Sequence, residues 1–213
     1  HVPWNIFVPM MTDLVAAAKC FKEILAHRDI KTIRNWKIEY APNTIQDKTA
    51  FDVYVEYETS RGETGVIGIE VKYTEEGYSV GNKEFAMMQN PESAYSLTTR
   101  NSECFINNDP LQFNNPDYIQ LWRNHILGLA MLQQGMTDYF DSLTLYPSGN
   151  DHFHSFDGHV GVIESYEELM TDKGKDTFHA ITYEDFFNVL KEHYSSSRNR
   201  VWLDYLETRY INK

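Results

Sequence analysis

The chain has little cysteine, little positive charge and no long apolar run, and each shortage excludes something. Two cysteines in 213 residues, Cys20 and Cys104, are too few for a disulfide framework, and neither has a CxxC partner. The fold must therefore rest on a hydrophobic core, and a reducing, cytoplasmic setting is expected. No apolar segment is long enough to cross a bilayer, so no membrane partner is expected. The opening residues, His1 to Met10, lack the cationic and apolar pattern of a secretion signal. Nineteen Lys and Arg stand against 31 Asp and Glu, a net charge of −12. That balance excludes a uniformly basic surface. A phosphate-binding role would need its positive charge segregated, or its carboxylates neutralised by cations. Internal repeats and low-complexity tracts are absent as well.

What is present suffices for one sizeable core: 42% of residues are hydrophobic and 14% aromatic. The expected organisation is a single domain, 1–213, with its core at about 13–147 and a C-terminal extension at about 148–213. The organising stretch is Ala50 to Glu75, AFDVYVEYETSRGETGVIGIEVKYTE. Phe51, Val53 and Val55 alternate with Asp52, Tyr54 and Glu56, the period of a half-buried strand. Arg61-Gly62-Glu63 marks a turn. Val66, Ile67, Ile69 and Val71 make a second, more apolar strand of central character. Within it Glu70 and Lys72 point to one face. A carboxylate and an ammonium in a core strand need each other or a ligand. Antiparallel pairing brings Asp52, at the start of one strand, close to them at the end of the other.

Asp52, seventeen intervening residues and then Glu70-Val71-Lys72 resembles the acidic-residue…(D/E)-x-K signature of the PD-(D/E)XK, restriction-endonuclease-like nuclease superfamily. The wider string is similar to a bacterial branch of predicted nucleases with a "taFD…g.igiEvKYtE" core. Members of that branch also have an opening like HVPWNIFVPM, a strand like Ile38-Glu39-Tyr40-Ala41-Pro42 and a helix like Gln120-Leu121-Trp122-Arg123-Asn124. The resemblance spans roughly residues 1 to 147.

It implies an α/β (mixed α+β) fold with a restriction-endonuclease-like core, a central mixed sheet of four to five strands flanked by helices. It also implies a metal-dependent nuclease acting on nucleic acid, with DNA the expected substrate and a homodimer compatible. Mg²⁺, or Mn²⁺, is the implied cofactor, since phosphodiester hydrolysis needs an activated water and a stabilised leaving oxyanion. On this reading Asp52 and Glu70 supply carboxylate oxygens, the Val71 carbonyl completes the ligands, and Lys72 orients or deprotonates the water or neutralises the phosphate. Glu39 holds a second metal or a water, and Gln120 and Arg123 position the scissile phosphate. The alternative is a catalytically inactive nuclease-fold scaffold that binds protein or nucleic acid, with Glu70 and Lys72 as a structural pair. A third reading is a zinc site at His152, His154 and Asp157, although the segment lacks cysteine and reads as a loop.

In chain order, residues 1 to 10 read as an extended arm because of Pro3 and Pro9. Asp13 to about His27 reads as an amphipathic helix with Thr12 or Asp13 as its cap. Glu23 lies off that helix's apolar stripe and reads as a surface carboxylate. Ile33 to Tyr40 reads as a strand, so the first three strands form a meander. Residues 74 to 117 look irregular, with one short helix near Lys83 to Gln89. Tyr118 to Gln134 is the strongest helix, and Asp141 to Tyr146 a fourth strand, parallel to the third. A helix near Glu164 to Met170, a strand near Thr177 to Thr182, and helices from Tyr183 to His193 and Asn199 to Tyr210 complete the chain.

Overall fold

The computed structural model describes residues 2–74, 77–155 and 157–211. Helices α1 (Val2–Met10) and α2 (Leu14–Ile24) precede strands β1 (Thr32–Tyr40), β2 (Phe51–Glu58) and β3 (Thr64–Val71). Helices α3 (Asn82–Gln89) and α4 (Ala94–Ser102), a 3-10 turn at Pro110–Phe113 and α5 (Ile119–Gln133) lead to β4 (Tyr139–Tyr146). Then come α6 (Val162–Glu167), α7 (Asp172–Lys175), β5 (Phe178–Thr182), α8 (Tyr183–His193) and α9 (Ser197–Tyr210). The strands form one mixed sheet in the order β1-β2-β3-β4-β5. β1 and β3 each pair antiparallel with β2, whereas β4 runs parallel to both β3 and β5. The expected meander and the parallel return of the fourth strand are both there.

A core lies on each face of the sheet. On one, Val53, Val55, Ile67, Ile69, Leu143 and Leu145 pack against α1, α2, α8 and α9. On the other, Tyr54, Val66, Phe140 and Phe178 meet α4, α5 and α6. β3 is central, and seven of its eight residues are buried, which accounts for its nearly unbroken apolar run. α5 lies so close to the sheet that a Cβ added at Gly128 would come within 1.9 Å of the Phe140 ring. Local signals set the helix starts as read. Asp13 caps α2 by accepting from the Ala16 amide at 3.0 Å, and Thr182 caps α8 by accepting from the Asp185 amide at 3.1 Å.

Two expectations need correction. The opening segment is a helix, not an extended arm. Pro3 sits in the first turn, where its missing N–H leaves no bond unmade, and Pro9 comes one residue from the end. Ile6, Phe7 and Met10 are fully buried, and that burial outweighs a single lost hydrogen bond. The irregular region 74–117 holds a second helix, α4, besides the expected α3. Ser93 caps it by accepting from the Ser96 amide at 3.1 Å, and its mostly polar stripe of Ser96, Thr98 and Thr99 is buried, so periodicity in hydrophobic residues could not reveal it.

Candidate active site

β2 and β3 bring Asp52, Glu70 and Lys72 to one end of the sheet. Where the pairing of the two strands stops at Val53 and Ile69, Asp52 continues it with its side chain: Oδ2 accepts from the Val71 amide at 2.8 Å. The carboxylate therefore takes the place of a ladder carbonyl and is tied to the residue between Glu70 and Lys72. The Lys72 amide donates to the Leu145 carbonyl at 2.7 Å, which extends the parallel pairing past the end of β3. The Tyr183 hydroxyl, at the start of α8, donates to the Lys72 carbonyl. This segment is held from both neighbours.

Glu70 and Lys72 are each 5% exposed, on the face covered by α5. Lys72 Nζ lies 2.6 Å from Glu70 Oε1 and also donates to Gln120 Oε1. Asn124 Nδ2 donates to Glu70 Oε2. Gln120 and Asn124 are four apart, so one stripe of α5 backs both charged groups. A buried ion pair persists only when its remaining hydrogen-bonding capacity is met, and here two amides supply the partners. The Asn124 Oδ1 atom is buried without a protein partner among the described residues, an acceptor that an ordered water or a cation's water would satisfy.

Arg123 belongs to a different network. Its Nη2 donates to Asp47 Oδ2 at 2.7 Å and to Thr49 Oγ1 at 2.6 Å, and its Nε to the Tyr95 hydroxyl at 3.0 Å. Tyr78 accepts from Nη1, and Tyr95 itself donates to Asp47. Burial works to raise the Asp47 pKa, yet the hydrogen bonds from Tyr95, Arg123 and Thr49 hold that carboxyl below its ordinary value. Burial works to lower that of Arg123, and the Asp47 bond with the neighbouring tyrosines keeps it above. The guanidinium clamps the segment between β1 and β2 onto α5, one helical turn from Gln120.

Glu39 is exposed and has φ of +54°. It lies between the pairs Ile38–Val53 and Tyr40–Phe51, and so across from Asp52, as expected. Glu39, Asp52 and Glu70 do not form one of the tight groups of three donors seen among the described residues, and neither do His152, His154 and Asp157. His152 instead approaches Asp117, Nε2 to Oδ1 4.0 Å. Beyond Lys72 an open cleft of about 720 Å³ is lined by Tyr73, Asn150, His152, Glu184 and Tyr210 among others.

Sequence reasoning missed Tyr183, Asp47 and Tyr95. Tyr183 is 111 residues from Lys72, and nothing local signals that reach. Asp47 and Tyr95 lie in stretches without a clear period, and their shared partner, Arg123, is 76 and 28 residues away.

A mixed five-stranded sheet with helices on both faces, an acidic residue on β2 and a buried Glu-x-Lys ending β3 define a nuclease-type α/β core. The family model of the PD-(D/E)XK nuclease superfamily matches residues 1–212. The chain belongs to that superfamily, over the whole match and beyond the segment carrying the motif. No curated protein matches the chain, and no solved structure does. Membership implies nuclease-type activity on nucleic acid, and such nucleases typically use divalent metals. Two carboxylates form a hard-oxygen donor set, and the unmet Asn124 oxygen sits beside it, so the residues fit such an ion. Among the described residues no helix is long and apolar enough to cross a membrane.

Proposed function

We propose that the protein is a metal-dependent nuclease that hydrolyses phosphodiester bonds in DNA. One observation carries the reading. Glu70 and Lys72, both nearly fully buried, are held as a pair by two amides of α5, with Asp52 locked to the peptide between them. A sheet protein with no use for these charges would gain stability by replacing such a pair with apolar residues. In this assignment Asp52, Glu70 and the Val71 carbonyl hold Mg²⁺ or Mn²⁺, which when bound supplies a more acidic water and neutralises charge on the phosphate. Lys72 holds the attacking water or a non-bridging phosphate oxygen, moving a proton at Nζ. Gln120 fixes the direction of Nζ. Asn124 holds Glu70 in one rotamer, and Glu39 orients a water across from Asp52. Arg123 contributes indirectly by keeping α5 in register with the site. Substrate enters along the cleft beside Tyr73, and the protein acts in the cytoplasm, with a homodimer matching two cuts in a duplex.

The test is cleavage of single-stranded DNA, duplex DNA and RNA with Mg²⁺ or Mn²⁺, alongside calorimetry of the metal. Asp52→Ala, Glu70→Ala and Lys72→Ala should each abolish turnover in a folded protein, and the two carboxylate variants should also lose metal binding. Full activity in Asp52→Ala would sink the assignment. A second reading, an inactive nuclease-fold module that binds protein or nucleic acid, is favoured by one observation: both Glu70 oxygens already have protein partners. It predicts no metal binding even with Mn²⁺ and nucleic acid present.

A further inference from the structure

On the opposite face of the sheet, Asp141 of β4 is fully buried, and three cationic or imidazole groups converge on it. Arg28 Nε lies 3.0 Å from Oδ1 and 2.9 Å from Oδ2. His179 Nε2, on β5, is 3.0 Å from Oδ1, and His27 Nε2, just past α2, is 3.4 Å from the same oxygen. The two imidazole rings are 5.0 Å apart. A carboxylate oxygen has two lone pairs, so Oδ1 faces more N–H donors than it can accept from. Hydrogen bonding alone does not account for the second imidazole.

Tetrahedral coordination does. Donors bound at about 2.0–2.1 Å to one zinc ion lie roughly 3.3 Å from each other, and the two imidazole-to-carboxylate distances, 3.0 and 3.4 Å, bracket that value. A second observation points to the fourth position. A cavity of about 220 Å³ beside the cluster is lined by His27, Arg28, Tyr57 and Tyr139 among others. The Tyr57 hydroxyl is buried without a partner among the described residues, and a water on the ion would satisfy it.

We propose that His27, Asp141 and His179 form a second metal site, for Zn²⁺ or a similar borderline divalent ion with one water, separate from the Asp52–Glu70 centre. Its nitrogen-rich donors select against Mg²⁺, whereas the all-oxygen set at Asp52 and Glu70 favours it. The ligands come from the α2–β1 connection, β4 and β5, so the ion staples three elements. Arg28 keeps Oδ2 and weakens binding by charge repulsion.

Zn²⁺ titration of the full chain in excess Mg²⁺, by calorimetry and thermal melting, tests this. One ion per chain and a raised Tm are expected. Affinity should fall at least about 100-fold in His27→Ala and in His179→Gln, and Arg28→Gln should bind about tenfold more tightly or better. His27 is 41% exposed on its side chain, so His27→Ala keeps the fold. A folded wild type that binds no Zn²⁺ at micromolar concentration would overturn the proposal, as would equal affinity in wild type and His27→Ala. A tightly bound Zn²⁺ lost instead in Asp52→Ala/Glu70→Ala would place the ion in the nuclease centre and overturn it too.

Discussion

In the proposed site, Asn124 acts by holding Glu70 rather than by touching substrate. Its amide donates to Glu70 Oε2 while Lys72 takes Oε1, so Glu70 has one allowed orientation. Asn124→Ala should leave the protein folded and lower cleavage by about 10–100-fold, the usual cost of losing a group that orients a ligand. Steady-state rates with Mg²⁺, beside circular dichroism, check it; wild-type turnover would mean that Lys72 alone orients the carboxylate. Arg123 makes the contrasting case. Its donors are occupied by Asp47, Thr49, Tyr95 and Tyr78, so its loss strands a buried carboxylate. Arg123→Ala should cost about 3–5 kcal/mol of stability, read by urea denaturation. A loss of activity without loss of stability would instead return Arg123 to the phosphate. Glu39, exposed at the strand edge, should matter less than Asp52, and comparing Glu39→Gln with Asp52→Asn in the same cleavage assay decides that.

Among the elements, α5 packs on the sheet through Gly128 and backs the proposed site through Gln120 and Asn124. An added methyl there would overlap the Phe140 ring at 1.9 Å. Gly128→Ala should therefore destabilise by about 1–3 kcal/mol, less the ~1 kcal/mol that alanine gains in helix propensity. Phe140→Leu in the same chain should recover much of it, as melting temperatures will report, because the shorter side chain gives way. Without that recovery the clash lies elsewhere. Most elements were legible in the sequence for a physical reason: the alternation in Phe51 to Glu56, the apolar run of β3 and the wide stripe of α5 each record which faces are buried. The Asp52, Glu70 and Lys72 cluster was legible too, because period-2 geometry and a short hairpin fix their proximity. What was not legible depends on distant contacts. Pro3 and Pro9 looked like breaks until Ile6 and Phe7 had a core to enter. Tyr183 meets Lys72 across 111 positions, and Asp141 meets Arg28 across 113 and His179 across 38; no local pattern records such meetings.

For the molecule as a whole, net charge of −12 means that folding works against self-repulsion at neutral pH, and acid should ease that repulsion. One buried group acts in the opposite direction. His125, on α5, is fully buried between the Tyr166 hydroxyl at 3.1 Å and Thr177 Oγ1 at 2.9 Å. Burial, with the nearby His179, pushes its pKa down to about 3, from an ordinary 6.5. Above pH 6.5 the imidazole is neutral folded or unfolded, and its titration contributes nothing to the pH dependence. Below that value the unfolded chain takes up a proton that the folded protein refuses until about pH 3. Stability should consequently fall with acid across this window, by up to about 1.4 kcal/mol per pH unit from this one group. Asp47, held below its ordinary pKa by its hydrogen bonds, adds a loss of the same sign at lower pH, as its stabilisation disappears when it protonates. Urea midpoints of wild type and His125→Leu between pH 7 and 4 separate these contributions. The variant should be weaker at pH 7, having lost its bonds to Tyr166 and Thr177, yet show a flatter slope. Parallel slopes would mean that His125 accepts its proton in the folded state, and that α5 opens to water well before the sheet unfolds.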